Sequence, residues 1–381
     1  MPQWNLWWPF IVAVWMLAPL MLPTLRLRAQ SAPATAPSSL ASTQIRTMAA
    51  DSSWQRVWVV GTDTTKETFI EPRQLVVSGD LVLVLDAGTR EIRGFDARSG
   101  AQRFIHPARG NGPGEYKRPA LLAATPTGYA VLDQATSRLS AFGLDRRLQW
   151  DAVVPDVFQL QGLCIDANQS AWLSYRRRDS SIVVVDSAGV RRAIHRIPWR
   201  IARPTTVDFA HEAFTSATSR DGRCAIAPLF GSEWATVNTA TGRLQTYAYR
   251  EAGAEPVMKT TQRILDRSLS EVVVQNTNTT DAPPISHGVM QRGDTVIVYA
   301  WMTSRRPRRT LDYYHGRTGR YLHSRVLPTH FDALTIGADG TFYGTRISEP
   351  SVLIAIRPTD HHRRPQTATD GRRQKRQMSR E

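Results

Sequence analysis

The feature that most limits what this chain can fold into is a 47-residue repeat. Pro72 precedes Asp86 by 14 residues, and Pro119 precedes Asp133 by 14. Asp86 precedes Ile92 by 6 and Phe95 by 9, and Asp133 precedes Leu139 and Phe142 by the same intervals. Each copy reads as short apolar runs separated by polar turns, the pattern of consecutive β-strands. Four short strands in a unit of about 40–50 residues is the size of a β-propeller blade. The Asp stands where the second strand ends, and a short carboxylate there can accept backbone N–H groups. A metal-ligand or acid role for Asp86 and Asp133 is the weaker reading, because turn residues recur for structural reasons.

Later copies keep the pattern and lose the letters. The third strand of each unit ends near Phe95, Phe142, Val185, Val237, Tyr314 and Ile356, at spacings of 47, 43, 52, 77 and 42. Six units follow, and the long spacing marks an insertion at 251–284, where Met258–Val274 has apolar positions compatible with a short helix. A polar turn recurs as DARSG (Asp96–Gly100), NTATG (Asn238–Gly242) and HGRTG (His315–Gly319). Its final glycine suits a positive φ, where a Cβ would clash. The last unit, Phe331–Pro358, has three strands and stops. WQRVWVVG (Trp54–Gly61) precedes the first unit as an isolated strand. It is expected to supply the missing outer strand and close the ring, which removes the open edges. The predicted fold is all-β: a six-bladed propeller of four-stranded antiparallel blades, closed by an N-terminal strand.

At Gly110–Pro119 the sequence GNGPGEYKRP resembles the glycine-rich linker of NHL-type six-bladed propellers, G-x-G-x-G-x-aromatic-x-x-P. Gly110, Gly112, Gly114, Tyr116 and Pro119 match it, and the full motif occurs once. The resemblance is strongest over residues 70–145 and continues by periodicity to about 358. It implies a fold, and propellers of that fold host unrelated activities. These glycines lack the Lys-Ser/Thr and following helix of a phosphate loop, so they read as an inter-blade turn.

Around the repeat, residues 1–30 read as a signal peptide or N-terminal anchor. They form an apolar run with Arg26 and Arg28 behind it and Ala34-Thr35-Ala36 as an A-x-A cleavage site. A true start at Met16 or Met21 is the rival reading. Residues 31–50 are a Pro/Ala/Ser/Thr linker, 51–358 the propeller, and 359–381 a basic tail too poor in apolar residues to order. The net charge is +15, of which +5 lies from Arg357 onward and +3 in residues 1–50. The propeller itself is therefore only moderately basic.

No H-E-x-x-H and no G-x-S-x-G occurs among the 381 residues, and the 9 histidines are scattered except for His361-His362 in the tail. No metal ligands and no catalytic residues are assigned, and no cofactor is expected. Lactonase-like propellers hold a channel calcium on acidic and Asn residues, and that set does not map here by motif. A metal-dependent lactonase- or lyase-like enzyme is the alternative function. In an exported protein the pair Cys164 and Cys224 suggests one disulfide. Because they lie on a first and a second strand of neighbouring units, the geometry need not close, and buried, unbonded cysteines are the preferred expectation.

The arginines carry the functional reading. Arg176, Arg177 and Arg178 lie between the second and third strands of unit three, and Arg305, Arg306, Arg308 and Arg309 occupy the same connection of unit five. Lys117 and Arg118 belong to the link between units one and two. These connections emerge on one face of a propeller, so the residues are expected to ring a channel mouth. The bland reading is a solvated surface. The functional one is a basic rim for an anionic glycan, lipid or protein partner of the cell envelope. Nucleic acid is excluded by the export reading and by the absence of aromatic residues within the basic runs. The sequence reading is thus an exported, periplasmic or extracellular binding monomer, attached to a membrane only if the N-terminus is retained.

Overall fold

A computed structural model describes residues 54–62, 69–107, 110–154, 156–157, 160–175, 181–199, 213–215, 222–228, 232–250, 258–266, 273–280, 286–300, 309–348 and 350–359. Contacts divide the chain into two units, 1–47 and 48–381, and all described residues belong to the second. The expected signal and linker (1–50) and the tail beyond 359 lie outside the described residues.

Six four-stranded antiparallel sheets make a six-bladed β-propeller. Their inner strands are Pro72–Ser78, Pro119–Ala124, Leu160–Ile165, Ala213–Thr215, Ser286–Arg292 and Ala333–Ile336. In the first five blades the chain runs outward through consecutive strands. The sixth takes its outer strand from Trp54–Val60, which pairs antiparallel with Val352–Pro358. The expected closure is therefore present. Side chains fasten it on both sides. Trp54 donates its indole N–H to Val326 O of blade five at 2.7 Å, and Trp58 donates to Ala97 O of blade one at 3.1 Å.

Second strands such as Leu81–Asp86 and Gly128–Asp133 are buried along their whole length. They lie between neighbouring strands in their own sheet and between neighbouring blades above and below, so the sequence there is continuously apolar rather than alternating. Outer strands such as Gln102–Pro107 are mostly exposed and carry charge. Burial is consequently divided among six inter-blade clusters rather than one centre. Between blades one and two lie Leu83, Ile92, Tyr129 and Phe142, and between blades six and one lie Phe69, Val84, Phe95 and Leu353.

Two expectations are corrected. Cys164 and Cys224 form a disulfide with a Cα–Cα distance of 6.2 Å, inside the range such bonds allow. They are buried as expected. They also sit together in the cluster between blades three and four, where face-to-face stacking brings an inner strand against the neighbouring second strand. The described residues of the insertion hold no helix within Met258–Val274. Met258–Asp266 and Val273–Thr280 pair as a two-stranded antiparallel hairpin. These segments are rich in Thr and Val, whose branched Cβ fits a strand better than a helix.

Candidate functional site

Strand direction alternates within each blade, which sorts the connections onto two faces. Connections between first and second strands, and between third and fourth, make one face, here the turn face. Connections between second and third strands, together with the links between blades, make the other, the link face.

Aspartates cap turns on both faces, with different outcomes. On the link face, Asp86 is wholly buried and accepts N–H groups from Ile70 (3.0 Å), Glu71 (2.8 Å), Gly88 (3.1 Å) and Thr89 (3.4 Å). Asp133 is buried at the equivalent place. It accepts the amide of Arg118, the amide of Thr136 at 3.0 Å and the Thr136 hydroxyl at 2.6 Å. Each carboxylate thus ties the turn of its own blade to the link that leads into it. Both oxygens are consumed by the fold, and the turn-residue reading of Asp86 and Asp133 is what the structure shows.

The glycine-rich linker follows the same logic. Gly112 donates its N–H to Glu115 Oε2 at 2.8 Å, and a Cβ on Gly110 would collide with that oxygen. Gly114 has φ +73°, a conformation that disfavours any side chain. Tyr116 is 2 % exposed and donates its hydroxyl to His106 O. Pro119 begins the inner strand of blade two and pairs with Asp133. The motif is a folded inter-blade turn.

It delivers Lys117 and Arg118 to the surface of the link face, both exposed. The Arg118 backbone is clamped from both sides, its N–H by Asp133 and its carbonyl by Gln134 N at 3.0 Å. Neither side chain is in an ion pair among the described residues. Arg90, missed at the sequence level, joins them. It is exposed, with φ 59°, in the second-to-third-strand connection of blade one. Its place in that connection was the available signal, but it is a single arginine rather than a run. Arg309 is used differently: its guanidinium donates to Leu327 O at 2.7 Å and to Pro328 O at 2.7 Å, bracing the link between blades five and six. Arg73 and Arg93 pair with Glu71 at 2.5 Å and Glu91 at 2.7 Å. Arg176, Arg177, Arg178, Arg305, Arg306 and Arg308 lie outside the described residues.

On the turn face several carboxylates reach an arginine, while Asp166 spends both oxygens on the Asn168 and Ser170 amides and the Trp172 indole N–H. Asp96 meets Arg103 at 2.5 Å, Asp186 meets Arg192 at 2.5 Å, and Asp294 meets Arg317 at 2.9 Å and Arg223 at 3.0 Å. Asp339 pairs with Arg357. Arg103, with the Ser99 amide and hydroxyl, holds the Asp96 carboxyl well below the usual carboxylate range. The Val190 amide and Arg192 lower Asp186, and Arg317 leads the groups that lower Asp294. Favouring the charged form in this way is ordinary ion-pair electrostatics.

Among the described residues no group of three or more His, Cys, Asp or Glu is placed to hold a metal ion. A cavity of about 860 Å³ runs along the axis between the inner strands.

No family model matches the chain, and no curated protein matches it. Solved propeller structures resemble it at low identity. The WD40 repeats of RRP9 align at 12 % identity over 79 % of this chain and 96 % of that one, with a TM-score of 0.47. Virginiamycin B lyase from Staphylococcus aureus aligns at 10 % identity over 81 % and 100 %, with a TM-score of 0.47. A member of the duf4221 family from Bacteroides vulgatus aligns at 9 % identity over 81 % and 100 %, with a TM-score of 0.48. The six-bladed propeller assignment itself stands on this chain's own strand pairing.

Proposed function

We propose that this chain is an exported binding or scaffold propeller that recognises an anionic ligand or an acidic protein surface of the cell envelope on its link face. One observation carries this reading. Arg90, Lys117 and Arg118 are exposed there and, among the described residues, in no ion pair, while the nearby Asp86 and Asp133 carboxylates are spent on backbone amides and the Thr136 hydroxyl. Cations on a clamped backbone lose little further freedom when an anion arrives, which favours binding. The arginine runs at 176–178 and 305–308 belong to connections of the same face and would extend the basic surface. The match of Gly110, Gly112, Gly114, Tyr116 and Pro119 supports placing the chain beside NHL-type propellers. The Cys164–Cys224 bond supports folding in an oxidising compartment, hence export.

The test is salt-dependent retention of the full chain on an acidic glycan resin. The R90Q/K117Q/R118Q variant should elute at clearly lower salt than the parent, because exposed contacts are screened. Its melting temperature should stay within a degree or two, since exposed charges add little stability. Elution at unchanged salt would remove the link face from the reading.

A further inference from the structure

The axial cavity is a site that the link face does not explain. Its lining mixes polar and apolar groups, and half-buried Val77 of blade one and Leu334 and Ile336 of blade six contribute apolar side chains to it. A volume of about 860 Å³ lies within the range that accommodates a small organic molecule. The ionised side chains along it are almost all occupied. Arg73 faces Glu71 at 2.5 Å, and the Asp332 carboxylate takes the Ile347 N–H at 2.6 Å.

Arg292, at the turn-face mouth, differs. Its Nε–H donates to Ala338 O at 3.0 Å, which holds the guanidinium across the boundary between blades five and six. A Cβ on Gly340 would come within 2.7 Å of Arg292 Nη1, so the group lies against a turn that only glycine leaves open, at φ +85°. No carboxylate pairs with Arg292 among the described residues. The two Nη groups are therefore a positioned pair of donors, bearing one charge, beside the channel mouth.

We propose that the axial cavity binds a monoanionic amphiphile, a carboxylate with an apolar body, whose head group is taken by Arg292 and whose body lies along Val77, Leu334 and Ile336. A planar guanidinium matches a carboxylate through two parallel N–H···O bonds. One unit of charge suits a monoanion better than a phosphate dianion, and burying the apolar body supplies the rest of the affinity. This site stands at the opposite mouth from Lys117 and Arg118 and does not depend on them.

The test is titration calorimetry of the full chain with decanoate below its micellar concentration, with decanol and acetate as the two halves of the ligand. Decanoate should bind one site per chain, with acetate giving no measurable heat and decanol binding at least tenfold more weakly. R292Q should weaken decanoate about tenfold at an unchanged melting temperature. Leu334→Trp should weaken it by narrowing the channel with Arg292 intact. R90Q/K117Q/R118Q should leave it unchanged, which separates this proposal from the link-face reading. Failure of decanoate to saturate a site, equal affinity for R292Q, or decanol binding as tightly as decanoate would overturn it.

Discussion

The two faces of this ring both place aspartates at their connections and spend them differently. On the turn face Asp96, Asp186 and Asp339 cap short turns and still reach an arginine, Asp294 is held by two arginines, and Asp166 is saturated by N–H donors. On the link face Asp86 and Asp133 reach backward to the preceding link and are saturated by N–H and O–H donors. The geometry decides this. A turn between adjacent strands contains few amides, so a capping carboxylate there can turn an oxygen to a side-chain donor, Arg103 at Asp96 and the Trp172 indole at Asp166. A link between blades must be fastened to the next blade, and the aspartate supplies that fastening. Among the described residues the cations Arg90, Lys117 and Arg118 beside it are in no ion pair, as a by-product of building the ring.

The broadest way to break the comparison is to open the ring. Deleting residues 1–62 removes the strand Trp54–Val60 with its bonds to Val326 and Ala97, and exposes the edge of Val352–Pro358. The truncated chain should aggregate in size-exclusion chromatography. A soluble monomer with the parent melting temperature would refute the closure. Replacing both cysteines by alanine is the next largest change. The 60-residue separation sets a chain-entropy limit of about 4 kcal/mol. Urea unfolding should show a loss of about 2–4 kcal/mol, and reduction of the parent should reproduce it.

The comparison itself is sharpened by one substitution on each face. Asp86→Ala strands the amides of Ile70, Glu71, Gly88 and Thr89 around a fully buried site. It should cost about 2–4 kcal/mol, since a buried donor left without a partner is expensive. Asp96→Ala should cost less by the same unfolding measurement, because its turn and Arg103 are open to water. Equal losses would mean that the two faces use their aspartates alike.

A smaller effect is expected from acid. Asp96, Asp186 and Asp294 have folded pKa values held below their ordinary ones. Such groups favour the folded state fully above the unfolded value of about 3.9, and that contribution fades as pH falls through the folded pKa. Melting temperature should therefore be flat from pH 7 to about pH 5 and fall below about pH 4. R103Q, R192Q and R317Q together should make that acid limb shallower. An unchanged limb would show that the turn-face pairs contribute nothing.

Much of the ring was legible because each blade solves the same problem. Pro72 with Asp86 and Pro119 with Asp133 recur because both pairs meet across adjacent strands. The missing strand after Pro358 left Trp54–Val60 only one useful role. The fastening of links was half legible. The offset of 15 residues from Glu71 to Asp86, and from Arg118 to Asp133, was present in the sequence, but reading it requires knowing that a link passes beneath the following turn. The disulfide was not legible. Whether Cys164 meets Cys224 depends on the stagger between blades, a property of side-chain packing at the whole interface. Arg292 was invisible for a similar reason, since its place at the channel mouth is set by blade six, 46 residues further on.

The central claim is that recognition rests on Arg90, Lys117 and Arg118, the exposed cations beside the spent carboxylates of the link face, and matched charge removal tests it most directly. R90Q/K117Q/R118Q removes three exposed charges from the link face. R98Q/R243Q/R320Q removes three exposed charges from the turn face, chosen from arginines outside the ion pairs. Both variants have the same net charge, so differences in binding to the acidic glycan resin report location alone. The link-face variant should elute at the lower salt, with the turn-face variant close to the parent. Identical elution of the two variants would show that net charge, and not the link face, governs recognition.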